Sequence, residues 1–210
     1  MDEAAARKAL IETIGVSRET MARLEAFATL LQEENGRQNL VSAATLPHLW
    51  SRHILDCAQL IPLAAACDGA WLDLGSGAGF PGLVVAALRA GSTTLVESRR
   101  LRVEFLQRAA ALLQVQPEIV GANLVHVPPR PFAVISARAF APLPRLLDLA
   151  APFSTEKTLW LLPKGRGAQS ELEAIREAWQ GEFRLEPSLT DSDARIIVAS
   201  RVRRRRDRSM

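Results

Sequence analysis

The chain is short of cysteine, of lysine and of long apolar runs, and these shortages narrow the classes of protein it can belong to. Its two cysteines, Cys57 and Cys67, stand in an apolar segment without CxxC or CxxxxH spacing. They read as buried small hydrophobes in a reducing compartment, not as a metal site or a disulfide. Stretches such as AQLIPLAAAC and LVVAAL fall well short of the roughly 20 residues that a membrane span needs. The opening MDEAAARKAL has no signal-peptide core, so the expectation is a soluble, cytoplasmic monomer with no membrane and no metal. Lysine occurs only at positions 8, 157 and 164, an arginine preference that a GC-rich genome explains as well as phosphate binding does.

Apolar material is ample: 48% of the 210 residues are hydrophobic, enough for one ordinary domain and a small extension. The net charge is +3, but RVRRRRDR at 201–208 alone carries +5, leaving −2 for the rest. Basicity is therefore a property of the tail, where a disordered end and a phosphate-binding arm fit equally well.

From Ala4 to about Ala66 every strong pattern is helical. AAARKALIETIG stops at Gly15, and Ser17 is a candidate N-cap for a helix that puts Met21, Leu24, Phe27, Leu30 and Leu31 on one stripe. ENGRQNLVSAAT reads as a loop around Gly36, and PHLWSRHILDCAQLI as another helix beginning near Pro47. After Trp71, strand patterns (AWLDL, TTLVE, EIVGA, FAVIS, TLWLLP, EFRLEP, ARIIVASRV) mostly alternate with helical ones such as SRRLRVEFLQRAAALLQ, APLPRLLDLAAPF and GAQSELEAIREAWQ. The last two follow one another without a helix and could form an antiparallel hairpin. The organisation predicted is a helical extension over 1–66, an α/β core over 67–202 with a doubly wound, mostly parallel sheet of about seven strands, and a basic, disordered tail over 203–210.

WLDLGSGAGFPG, residues 71–82, is a strand running into a tight glycine turn, with Pro81 able to open the next helix. Twenty-two residues after Gly75, Glu97 ends the second strand candidate, where a carboxylate can accept both hydroxyls of an adenosine ribose. Read from Gly77, GAGFPG matches GxGxxG and suggests a dinucleotide whose pyrophosphate sits on the helix N-terminus. Read from Asp73 to Gly79, the pattern is DxGxGxG, in which the acid sets up the turn and attracts a cationic amino-acid moiety. Beside Asp73 a pyrophosphate would meet about 1 to 4 kcal/mol of repulsion, which favours S-adenosylmethionine, a donor with that moiety and no phosphate.

RQNLVSAAT, RHILDC, WLDLGSGAGFPG, ISARAFAPL and LLPKG in this order resemble the bacterial small-subunit ribosomal RNA methyltransferase G family, also called glucose-inhibited division protein B. The resemblance runs from about Gln38 to Val198. It implies a Rossmann-like class I methyltransferase that uses S-adenosylmethionine to methylate N7 of a guanine in 16S ribosomal RNA near the decoding centre, with 16S RNA or the small subunit as partner. It further implies that Gly75, Phe80 and Arg138 contact the donor, with Phe80 covering its methionine portion. Leu124 and Val125 stand where the family commonly has an acid beside the adenine, so contact there would come from backbone groups or apolar packing.

Guanine N7 has an in-plane lone pair and no proton, so the absence of an obvious general base is expected. An exocyclic amine would call for an (N/D)PP(aromatic) loop where SARAF stands, and a pyrimidine carbon for a pocket cysteine. Arg52 and Asp56, four apart, could form a helical ion pair and His53 could be a packing histidine, although the resemblance keeps Arg52 and His53 as candidates for the active-site wall. Lys164 at the end of strand five is a candidate substrate-facing group. The site predicted is therefore Asp73, Gly75, Gly77, Gly79, Phe80, Glu97, Leu124, Val125 and Arg138 for the donor, with Arg52, His53, Arg138 and Lys164 as catalytic candidates. Arg99, Arg100 and Arg102 read as a charged helix face that could bring RNA phosphate near the donor, and the four tryptophans as packing residues. The competing readings are a methyltransferase of another substrate and a non-catalytic, RNA-binding ribosome assembly factor.

Overall fold

Seven strands follow residue 70: β1 (Trp71–Leu74), β2 (Thr93–Val96), β3 (Glu118–Val120), β4 (Val134–Ala137), β5 (Leu159–Lys164), β6 (Trp179–Pro187) and β7 (Arg195–Arg204). The computed structural model describes residues 1–205. Strands β1 to β5 run parallel in the order β3-β2-β1-β4-β5; β7 joins β5 antiparallel and β6 lies outside it. This is the doubly wound sheet expected, with its last two strands as antiparallel neighbours. Strand order reverses between β1 and β4, whose ends Leu74 and Ala137 are partners in register. Their connections leave in opposite directions and open a crevice at that point.

Every residue of β1, β2 and β4 is buried, as a strand covered on both faces requires. One face packs on α2 (Arg18–Gln38), α5 (Gly82–Leu88) and α6 (Arg100–Leu113), where Leu24, Phe27 and Leu31 meet Leu83, Leu95 and Phe105. The other takes α7 (Leu143–Ala150) and α8 (Ala168–Ile175) through Leu72, Ile135, Leu146, Trp160 and Ile175. All four tryptophans are buried. Phe27 lies 5.6 Å from the Phe80 ring and 6.4 Å from Phe105, so the N-terminal helices share the core of the sheet.

Ser17 caps α2 by accepting from the Thr20 amide at 3.2 Å. The helix does not stop near Gly36, as the sequence suggested, but continues to Gln38 and ends at Asn39 in the left-handed conformation (φ 50°). One glycine costs a helix about 1 kcal/mol, which the burial of Leu31 and Asn35 around it offsets. Asn35 then accepts from Val41 N at 2.8 Å and turns the chain. On the predicted stripe only Leu30 is merely half-buried.

PHLWSRHILDCAQLI is not one α-helix. It forms a 3₁₀ turn (Leu46–His48), a π-helix (Trp50–Leu55) and two short helices, α3 (Asp56–Ala58) and α4 (Leu60–Leu63). The reason lies in α1 (Glu3–Glu12): the Glu3 carboxylate accepts from Trp50 N and Ser51 N, both at 2.9 Å, and from the Ser51 hydroxyl at 2.6 Å. Arg7 also lies 4.0 Å over the Trp50 ring. The wide turn is thus capped from outside its own segment.

Two boundaries move at the C-terminal end. Trp179 and Gln180 begin β6 instead of ending a helix, because they pair with Arg204 and Arg203 of β7. That ladder carries β7 two residues into the segment read as a tail; residues 206–210 lie outside those described. Among the described residues no helix is long and apolar enough to cross a membrane.

Candidate functional site

Between β1 and α5, Gly75, Gly77 and Gly79 have φ of 66°, 55° and 89°, a region in which other residues are strained. Two buried carboxylates hold this loop from beneath. Asp73 Oδ2 accepts from Gly82 N at 3.1 Å, and Oδ1 from the Ser136 hydroxyl at 2.8 Å. The Ser136 oxygen accepts in turn from the Trp71 indole at 2.8 Å. Burial pushes the Asp73 carboxyl up to about 6, opposed by its hydrogen bonds to Ser76, Ser136 and Gly82. Glu97, just past β2, accepts from Gly77 N at 3.0 Å and from Arg99 N at 2.9 Å, with Arg102 Nη1 3.9 Å away.

Asp73 therefore shapes the turn but does not face an open site, contrary to its expected second role of attracting a cation directly. Both of its oxygens are committed inside the protein, and the residue is fully buried. Glu97 stands at the strand end as predicted, with its carboxylate turned onto the loop. What forbids side chains at two of the glycines is the protein itself. A Cβ at Gly75 would lie 2.5 Å from the Phe140 ring, and one at Gly79 would lie 2.5 Å from Leu83. At Gly77 the nearest atom is Arg102 Nη1 at 3.6 Å, so the room for a ligand is beside Gly77 and Glu97.

A cleft of about 830 Å³ opens over the ends of β4, β5 and β7, walled by Arg138, Phe140, Lys164 and the π-helical segment. Arg138, the first residue after β4, donates from Nη1 to the Arg52 carbonyl at 3.1 Å and to Asp56 Oδ2 at 3.3 Å, and from Nη2 to His53 Nδ1 at 2.8 Å. Its guanidinium lies 5.0 Å over the Phe80 ring. Three of five N–H donors are thereby used. The donors that remain, on Nε and Nη2, are suited to a carboxylate or phosphate.

The structure thus gathers Arg52, His53 and Arg138. The Arg52–Asp56 ion pair anticipated from their spacing does not form. On the π turn Asp56 goes to Arg138, while Arg52 pairs with Asp191 of the β6–β7 connection at 2.7 Å and holds that carboxyl below its usual range. His53 is more than packing: burial, then Arg138 and Arg52, push its imidazole down to about 3, so it is neutral at physiological pH. Lys164 is not a free cleft amine, because Nζ bonds Glu171 Oε2 at 2.7 Å and Glu171 also takes the Leu143 N–H at the start of α7.

Phe80 does not present its ring for covering a ligand. It is 4% exposed, enclosed by Phe27, by a stacked His53 at 5.1 Å and by Arg138. Leu124 is buried in the core, whereas Val125 is 62% exposed. Arg100 is a solvated face residue paired with Glu104, while Arg102 leans over Gly77. Cys57 is buried, which pushes its thiol up, and Cys67 is only half-buried. The sequence reading missed Phe140 against Gly75, and Thr45, Thr190 and Asp191, which close the cleft from loops distant in sequence. Asp56 was visible in RHILDC, but its partner was not.

Solved structures similar to this fold include the ribosomal protein L11 methylase from Lactobacillus delbrueckii subsp. bulgaricus, with TM-score 0.56 and 18% identity over 74% of this chain and 79% of that one. Another is magnesium protoporphyrin IX methyltransferase from Synechocystis PCC 6803 with bound SAM, with TM-score 0.58 and 12% identity over 83% and 97%. Curated relatives are much nearer in sequence. Ribosomal RNA small subunit methyltransferase G of Zymomonas mobilis is 50% identical, covering 92% of this chain and 91% of its own length. That of Cereibacter sphaeroides is 41% identical over 91% and 95%. With residues 20–193 also matching the family described as rRNA small subunit methyltransferase G, this chain belongs to that family.

Proposed function

We propose that the protein, a cytoplasmic monomer, transfers a methyl group from S-adenosylmethionine to N7 of a guanine in 16S ribosomal RNA, within the small subunit near the decoding centre. The observation that carries the choice of donor is the pair of carboxylates beneath the glycine loop. With Gly82 N, the first amide of α5, taken by Asp73 and Gly77 N of the preceding loop by Glu97, two donors that a diphosphate would use are already spent on carboxylates. A sulfonium with an α-ammonium group fits such a loop, and a pyrophosphate would be repelled by about 1 to 4 kcal/mol per close carboxylate.

Bound there, the donor supplies an electrophilic methyl group. The residues that would hold it are Gly77 and its neighbours, Glu97 toward the ribose, and the remaining fork of Arg138 toward a carboxylate. The cleft that Arg138 lines fits an acceptor without a proton to lose. Both His53 nitrogens are engaged, by Arg138 and by Thr45 Oγ1 at 2.9 Å, and Lys164 is tied to Glu171. Neither is poised as a base, and attack by the N7 lone pair needs alignment instead. Calorimetric titration tests the reading: S-adenosylmethionine should bind and NADH should not, and binding of NADH alone overturns it.

A further inference from the structure

His53 has a hydrogen-bonding pattern that leaves one arrangement of its proton. Arg138 Nη2, 2.8 Å from Nδ1, can only donate, so Nδ1 must accept. On the other side Thr45 Oγ1 lies 2.9 Å from His53 Nε2 and can accept from it while its own hydrogen goes to the Ser42 carbonyl at 3.1 Å or to Ser42 Oγ at 3.0 Å. A neutral ring that accepts at Nδ1 carries its proton at Nε2, and Thr45 Oγ1 is placed to accept it. The ring is 8% exposed and stacks 5.1 Å from Phe80 at an interplanar angle of 21°, so it has little freedom to turn. The charged groups around it are Arg138 from the loop after β4 and Arg52 and Asp56 from its own segment, with Asp191 beyond Arg52.

We propose that His53 is a positioning residue: accepting at Nδ1, it orients the Arg138 guanidinium and so aims the two remaining N–H donors of Arg138 into the cleft. The proposal rests on the reading of Arg138 as a group that grips a reactant. His53 needs no contact with either reactant to fulfil this role. Asp56 and the Arg52 carbonyl hold Nη1, and among the described residues His53 is the hydrogen-bond acceptor of Nη2. Without it the fork swings about Nη1.

A double-mutant cycle with Arg138→Ala, read by donor Kd and by kcat and KM for RNA, tests the idea. His53→Phe keeps ring volume and removes the acceptor; it should weaken the Arg138-dependent step about tenfold, the loss expected for one hydrogen bond to a charged group. His53→Asn, whose Oδ1 replaces Nδ1, should recover to within about threefold of the native protein. In the Arg138→Ala background His53→Phe should add nothing. ¹⁵N NMR of the native ring should show Nε2–H alone between about pH 5 and 9, a readout independent of any variant's folding. The proposal is overturned if Asn is as poor as Phe, if the two losses add fully, or if the ring is Nδ1–H or protonated. An Arg138→Ala variant with native binding and turnover would instead sink the assigned role of Arg138.

Discussion

Asp73→Asn removes the buried charge under the glycine loop while leaving an oxygen for Gly82 N, and its consequence can be worked out with sign. Burial raises the folded-state value from 3.8 to about 6, so the native protein holds this proton more tightly than the unfolded chain does. The contribution of this group to stability is complete below about pH 4 and is lost as pH rises through about 6. A rise of that size corresponds to about 3 kcal/mol. Glu34 and Glu118 act in the opposite sense: hydrogen bonds from Arg108 and Arg130 lower them, so their contribution is lost as pH falls. Subtracting the variant from the native protein cancels those groups and isolates Asp73. Urea unfolding from pH 4 to 8 should therefore show the difference moving in favour of Asp73→Asn by up to about 3 kcal/mol as pH rises, levelling off near pH 7. Parallel curves for the two proteins would refute the reasoning.

Glu3→Ala should cost about 1 to 2 kcal/mol in urea unfolding by uncapping the π-helix, and should weaken donor binding although α1 lines no part of the cleft. Native donor affinity in that variant would mean that the π turn keeps its shape without the cap. Gly77→Ala places a Cβ at φ 55° in ordinary contact with Arg102 Nη1 at 3.6 Å and without a clash, so thermal unfolding should show a loss of about 1 to 2 kcal/mol, with calorimetry showing donor affinity falling about tenfold or more. Gly79→Ala meets Leu83 at 2.5 Å and should be the less stable of the two; the reverse order would contradict the absence of a clash at Gly77.

The sheet was legible because buried parallel strands and amphipathic crossovers leave different periods in the chain, and the glycine turn because its spacing has few other uses. Asp73, Glu97 and Arg138 could be placed at strand ends for the same reason. What was not legible depends on partners far away in sequence. The π-helix needs Glu3, 47 residues from Trp50, and the Arg52 contact needs Asp191, 139 residues on. An aromatic beside a glycine loop could face a ligand or the core, and no local pattern turns Phe80 inward; the rings of Phe27 and His53 do that. The helix through Gly36 survives because tertiary burial outweighs a propensity term of about 1 kcal/mol.

The most direct measurement is the site of methylation itself. Small ribosomal subunits from cells lacking this gene would be incubated with the protein and S-adenosylmethionine labelled in its methyl group, and the RNA digested to nucleosides. The account predicts label in 7-methylguanosine from 16S RNA. Label on another atom or in protein, or none despite tight RNA binding, would contradict it.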